Sequence, residues 1–395
     1  LPTTVPHPTS ERTSSPVIRG QVFLLALGAG VGVANVYYIQ PGLHLVQQTF
    51  GADADAVGWV PTLTQVGYAL GMLLLAPLGD LMDRKRLILG KALLLALALI
   101  ASALAPTLAF LATAGIIVGL LSSIGQDFIP IAAQLASEEH RGRVVGTVTT
   151  GLLSGILLSR TLGGLVAQGL GWRAIYWIAV SLLLIVAVAV WRFLPHLPAA
   201  TQGNYGRLLR SLAALWQQHR ALRRSVSTQA LLAASLGAFW STLALMLAGP
   251  PFQLGAGVAG AFGLAGAAGA LAAPLFGHLA DRTGPLPAIR LGALLVMLSF
   301  GGMWLLSGSL PVLIAGTVLF DLGVMAALVS HQTIVNDLDP SARSRLNALL
   351  MTGAMFGMAA GAWAGSWAWA HYGWPGICAV GMAVGTGALA RSFSR

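Results

Sequence analysis

Ala76-Pro-Leu-Gly79-Asp80-Leu-Met-Asp83-Arg84-Lys85-Arg86 and Gly277-His-Leu-Ala-Asp281-Arg282-Thr-Gly284 are two copies of one charged loop, each set between long apolar runs. Asp80 and Asp281 stand 201 positions apart in a chain of 395, so the second copy falls about half a chain after the first. The repeat continues around the loops. Arg141, Arg143, Gly151, Gly155 and Gly171-Trp172 recur as Arg343, Arg345, Gly353, Gly357 and Gly373-Trp374, each 202 positions on. Loops, glycines and apolar runs that return at one spacing mark a duplicated, polytopic chain.

Composition gives the solvent. Hydrophobic residues make up 56% and charged residues only 9%, where water-soluble domains carry roughly 25% charge. A helix needs about 20 apolar residues to cross the hydrocarbon core. Twelve such runs are predicted, at 21–46, 56–78, 86–105, 107–136, 144–168, 174–194, 226–250, 256–276, 288–308, 310–336, 346–370 and 374–390. The expected fold is an all-α polytopic membrane protein, its twelve transmembrane helices forming two pseudo-symmetric six-helix halves, 21–194 and 226–390. Cytoplasmic tails are expected at 1–20, rich in Pro, Ser and Thr and therefore disordered, and at 391–395. Between the halves lies a linker, 195–225, where Tyr205, Leu208, Leu212, Leu215 and Trp216 recur at helical spacing among arginines. That pattern predicts an amphipathic helix on the inner leaflet.

Cations set the orientation. With both termini cytoplasmic, 20 of the 22 Lys and Arg residues fall on the inner side, Lys91 counted among them; Arg173 is left outside and Arg160 inside a span. This bias is the one membrane proteins follow. The formal net charge of +10 is spread over separate loops, which fits lipid headgroups and argues against a nucleic-acid partner. Cys378 is the single cysteine, so an internal disulfide is ruled out. No metal-ligand spacing and no catalytic or phosphate-binding motif is present, so neither an enzyme nor a cofactor is expected.

With twelve runs, a long central linker, the Gly-x-Leu-Ala-Asp-Arg-x-Gly loop after the eighth run and a variant of it after the second, with Ala76 and Asp83 where the pattern has Gly, the chain resembles the major facilitator superfamily. Ala34-Asn-Val-Tyr37-Tyr38-Ile-Gln40-Pro41, Arg141-Gly-Arg143-Val-Val-Gly146 and Asp339-Pro-Ser-Ala-Arg343-Ser-Arg345-Leu-Asn347 resemble its bacterial drug:proton antiporter-like members. The resemblance implies a rocker-switch transporter of the bacterial cytoplasmic (inner) membrane, with the first, fourth, seventh and tenth spans lining a central cavity. It further implies a conformational lock at Asp80, Arg84 and Lys85, with Asp281 and Arg282 as the second copy. That copy is expected to be weak, since Pro285-Leu286 replaces the basic pair. Gly151-x-x-x-Gly155 resembles the family's antiporter signature, with Ile156 where a Pro is usual; close helix packing explains the same glycines.

Charge inside the spans is the sharper signal, because a buried ion costs at least ~3 kcal/mol there. Asp127 and Asp321 fall well inside the fourth and tenth runs and Arg160 inside the fifth; these are the proton-coupling candidates. Hydrocarbon tolerates the uncharged form of a carboxyl, which suits a proton carrier. Arg160 is the expected antagonist of Asp127, across an axial offset on the order of 10 Å. Asn35, Tyr38 and Gln40, where Pro41 bends the first span, are candidate cavity residues, together with Gln65, Gln126, Trp240, His331 and Gln332. Met351 and Met355 are span filler unless they face inward.

The expected function is secondary active transport of a small molecule by a monomer, with protons as the coupling partner and membrane lipids as the surroundings. Proton-coupled efflux of an amphipathic, drug-like compound leads. Proton symport of a small polar or anionic nutrient is the second reading, and a transporter-like sensor or scaffold the third.

Overall fold

In the computed structural model, residues 19–198, 204–271, 284–340 and 342–393 are described, with side chains omitted for 267–271. Asp281 and Arg282 lie outside the described residues, as do 1–18 and 394–395 of the expected tails. Every regular element among the described residues is helical. Among the described residues, nine helices are long and apolar enough to cross a membrane; Arg19–Ala34 and Ala256–Gly266 are apolar but shorter. The longest, Arg343–Phe393, breaks at Gly373 (φ 61°, ψ −149°).

The repeat seen in the sequence has a counterpart in packing. Gly171 and Gly373 both adopt positive φ, 85° and 61°, and each is followed by a tryptophan whose indole N–H is bonded: Trp172 to Thr49 Oγ1 at 2.9 Å, Trp374 to the Met303 carbonyl at 3.1 Å. A Cβ on Gly155 would stand 2.4 Å from Gly30 Cα, and one on Gly357 2.1 Å from the Ala230 carbonyl. The helix after each Arg-x-Arg pair is thus pressed backbone to backbone on the first long helix of its own segment. Gly151 and Gly155 serve this contact.

Two departures from the expected spans have local causes. The first helix ends at Ala34 instead of bending at Pro41, because the Asn35 side-chain amide donates to the Val31 and Gly32 carbonyls (2.8 and 3.1 Å) and closes the helix early. A turn then leads through Gln40–Gly42 into Leu43–Phe50. The fourth run jogs at Ser123, between Leu108–Ser122 and Ile124–Leu135. The linker carries the Tyr205–Gln218 helix, which buries Leu212 and Leu215 and hangs its Tyr205 hydroxyl on the Leu74 carbonyl at 2.7 Å.

At the end of the bundle away from Asp80 the chain is sealed. Gly58 meets Ser366, Gly164 meets the Ala256 carbonyl, and Thr161 Oγ1 donates to the Gly260 carbonyl at 3.1 Å. Phe239, Phe300, Phe320 and Trp374 form a buried aromatic cluster.

Candidate functional site

Below the seal lies a cavity of about 160 Å³. Met325, Met351, Met355 and Met358 are prominent in its apolar lining, and Tyr37, Tyr68, Gln126, Arg160, Gln229, Trp240 and Asp321 supply its polar groups. Arg160 projects from the Arg141–Leu170 helix and is 5% exposed. Its Nε donates to Gln40 Oε1 at 3.1 Å, and its guanidinium lies over the Tyr37 ring at 4.7 Å and the Trp240 ring at 4.1 Å. Such cation–π contacts gain strength where water is excluded. The early close of the first helix at Asn35 puts Tyr37 and Gln40 on the turn that meets Arg160.

Asp321, on the Leu310–Asn336 helix, is 7% exposed, and its Oδ1 is buried without a hydrogen-bond partner. Its Oδ2 and the Trp240 ring both face Gly266, where a Cβ would fall 2.5 Å from the oxygen and 3.1 Å from the ring. Only glycine leaves the carboxylate that position.

Asp127 sits differently. Its Oδ2 is 2.6 Å from Lys91 Nζ, and both side chains are 4% exposed. Lys91, counted among the inner-side cations from the sequence, is therefore a buried partner, and Arg160 does not pair with Asp127. Next to Asp127, Gln126 donates to the Tyr68 hydroxyl at 3.0 Å on the cavity wall.

In the first charged loop, Asp80 pairs with Arg84 at 2.7 Å, and Lys85 Nζ donates to the Leu194 carbonyl at 2.7 Å. The Arg84 backbone N–H donates to the Leu197 carbonyl at 3.2 Å. These acceptors follow the last turn of Trp172–Phe193, where orphan carbonyls and the negative end of the helix dipole favour a cation. Asp83 caps the next helix by accepting from the Arg86 N–H at 2.9 Å, and His196 Nδ1 lies 3.3 Å from its other oxygen. Burial works to raise the Asp83 carboxyl, but the Arg86 N–H and then His196 outweigh it and hold it below the ordinary carboxylate value.

Of the residues expected at the cavity, Gln126, Trp240 and Asp321 line it, joined by Arg160, with Gln40 behind Arg160; Asp127, expected to face it from the fourth span, is not in the lining and is turned to Lys91 instead. Asn35 is off the cavity, spent on the helix end. Tyr38 faces a separate groove between the Arg19–Ala34 and Arg141–Leu170 helices, because its neighbour Tyr37 takes the inward direction on this turn. Gln65 is fully buried outside the lining, with both amide atoms unpartnered. His331 bonds through Nδ1 to Gln229 Oε1 at 3.1 Å and lines a second cavity with Arg224 and Pro287. Gln332 is half-buried and joins neither. Tyr37, Tyr68 and Gln229 were missed; Tyr37 was signalled by the same Tyr37-Tyr38 pair that drew attention to its neighbour.

Comparison with known proteins points one way. The profile of the Major Facilitator Superfamily matches residues 23–341 and 258–393. The uncharacterized transporter YgaY of Escherichia coli O157:H7 is 39% identical over 363 residues, 92% of each chain. A probable transporter of Streptomyces coelicolor is 33% identical over 384 residues, covering 96% of this chain and 89% of its own. The crystal structure of the nucleoside transporter NupG superposes with a TM-score of 0.78 over 94% of this chain and 98% of its own, at 13% identity. That last likeness is one of fold alone.

Proposed function

The chain belongs to the major facilitator superfamily, and from that premise we propose a proton-coupled secondary transporter that moves a small amphipathic molecule by alternating access to the central cavity. The proposal includes twelve crossings in two six-helix halves, both termini in the cytoplasm of a bacterium, and a monomer as the working unit. The observation that carries it is the cavity itself: a methionine-rich apolar lining that also holds a buried acid and a buried cation. Ionisable groups are held within a membrane bundle at a cost, and they mark substrate and proton pathways.

Within this reading Asp321 is the proton site. It faces the cavity with a carboxylate oxygen unpartnered. Asp127, satisfied by Lys91, holds helices together on the way from the cavity to the charged loop. Export of an amphipathic compound in exchange for protons is favoured by the methionines, whose unbranched side chains adapt to varied shapes. The volume, below the ~300–1,000 Å³ typical for drug-sized ligands, limits the cargo to small molecules in this state. Uptake of an anionic nutrient together with a proton is the second reading, favoured by Arg160 beside Asp321.

The test is ligand-triggered proton exchange by purified protein in weak buffer, across lipophilic cations, sugars and carboxylates, with Asp321→Asn and Asp127→Asn alongside. Proton exchange that disappears in Asp321→Asn and survives in folded Asp127→Asn is the expected result. Binding with no proton exchange in any of the three proteins overturns proton coupling.

A further inference from the structure

Arg160 and Asp321 are both buried against the same cavity, yet they are not a pair. No nitrogen of Arg160 lies within 4.0 Å of an Asp321 oxygen. The guanidinium is nevertheless fixed: Gln40 takes its Nε, and the Tyr37 and Trp240 rings cover it. Its two terminal nitrogens make no hydrogen bond to any described residue. A planar guanidinium held by its Nε and its ring contacts presents a terminal N–H edge, and that edge matches a carboxylate, two parallel hydrogen bonds at once.

Among the described residues, the groups facing Asp321 are few. Arg160 and, beyond it, the Tyr37 hydroxyl are the ionisable ones. Trp240 and Gly266 face it from the Arg220–Ala248 and Ala256–Leu271 helices, and Met355 and Met358 share the cavity from Arg343–Phe393. On the adjacent Pro285–Leu305 helix, Arg290 is turned to the Phe393 ring at 4.0 Å. His331, on the same helix as Asp321, is bonded to Gln229 and lines a different cavity.

We propose that Arg160 docks the carboxylate of a small amphipathic acid, its apolar body lying against the methionines of the lining, and that this anion binds together with a proton that goes onto Asp321. The charge count gives the reason. With the cavity empty, Arg160 and an ionised Asp321 sum to zero. A bound carboxylate adds a negative charge in a low-dielectric site, where two carboxylates near one guanidinium do not both stay ionised. A proton from water on Asp321 restores the sum to zero, with no other bond made or broken. Anion and proton then favour each other's binding, which is the signature of co-transport rather than exchange. This rests on the reading of the cavity as a proton-coupled substrate site and commits it to the second of its two forms.

The probes are 4-phenylbutyrate, 4-phenylbutylamine and 4-phenylbutanol, titrated calorimetrically into the full-length protein in two buffers of different ionisation enthalpy. The acid binds with uptake of roughly one proton; the amine and the alcohol bind far more weakly. Arg160→Gln weakens the acid on the order of 10- to 100-fold, and Arg160→Lys recovers part of it. Asp321→Asn, which mimics the protonated side chain, keeps the acid's affinity and loses the proton uptake. Failure of the acid to bind, or binding indifferent to Arg160→Gln, overturns the assignment. Binding of the amine with proton release that Asp321→Asn abolishes also overturns it, while leaving proton-coupled transport intact. A pH gradient that drives no flux of the acid in reconstituted vesicles, despite proton-linked binding, overturns the transport reading and leaves the site.

Discussion

Asp127 and Asp321 are buried to nearly the same degree, 4% and 7% exposed, and their surroundings are opposite. Asp127 has an ammonium 2.6 Å away; Asp321 has a guanidinium in its neighbourhood that is turned to aromatic rings and to Gln40. Depth in the membrane therefore does not decide what an acid does. A paired acid resists any event that would neutralise one partner, because the other is left as a bare buried charge. An acid at a cavity with no cation in contact has a weaker brake, and its protonation can follow what enters beside it.

The sharpest way to break this contrast is to remove Lys91. Lys91→Met is expected to lower stability by about 3–5 kcal/mol, read as a drop in thermal midpoint in detergent. Lys91→Met with Asp127→Leu recovers most of that loss, since the pair costs as much desolvation as it returns in attraction. A Lys91→Met protein as stable as the parent would put Asp127 in the same class as Asp321.

Next in size is Gly266→Ala, whose new methyl would meet Asp321 Oδ2 at 2.5 Å and the Trp240 ring at 3.1 Å. Overpacking of this kind costs about 1–3 kcal/mol, and displacement of the carboxylate is expected to abolish ligand-linked proton exchange. A variant that keeps full coupling would separate Asp321 from the proton.

A third acid outside the spans calibrates the pair. Asp83→Ala removes a helix cap and is expected to cost about 1 kcal/mol. The folded Asp83 carboxyl lies below its ordinary value of 3.8. Its contribution is therefore present above the unfolded value and is lost as pH falls through the lower, folded one. Acid unfolding curves of the parent and Asp83→Ala should converge at the acid end and separate above it. Smallest of all is Asp321→Asn, for which unfolding should show a far smaller loss of thermal midpoint than Lys91→Met, because no contact ion pair is broken.

The sequence was informative along the helix axis and poor around it. Asp127, Asp321 and Arg160 were found from their depth in apolar runs, a property of position alone. Lys91 lies only a few residues inside the third run, after Arg84-Lys85-Arg86, so its long stem reads as one that reaches back to the headgroups. Packing against the Ile124–Leu135 helix turns it inward, and no local pattern carries that rotation. Tyr37 and Tyr38 differ by one residue, about 100° on a helix, and the early closure at Asn35 decides which of them meets Arg160. The loops and glycines at fixed spacing were legible because backbone contact leaves glycine where nothing else fits.

Two of the ties at the charged loop end on backbone: Lys85 reaches the Leu194 carbonyl, and the Arg84 N–H reaches the Leu197 carbonyl. Every residue type supplies a carbonyl, so no single substitution at 194 or 197 deletes the acceptor. In the tie between Lys85 and Leu194, only Lys85 contributes a side chain to the bond; Leu194 and Leu197 answer to their burial in the core and His196 to Asp83. Such a contact leaves no correlated substitutions behind, and a map of this fold inferred from covariation would omit it.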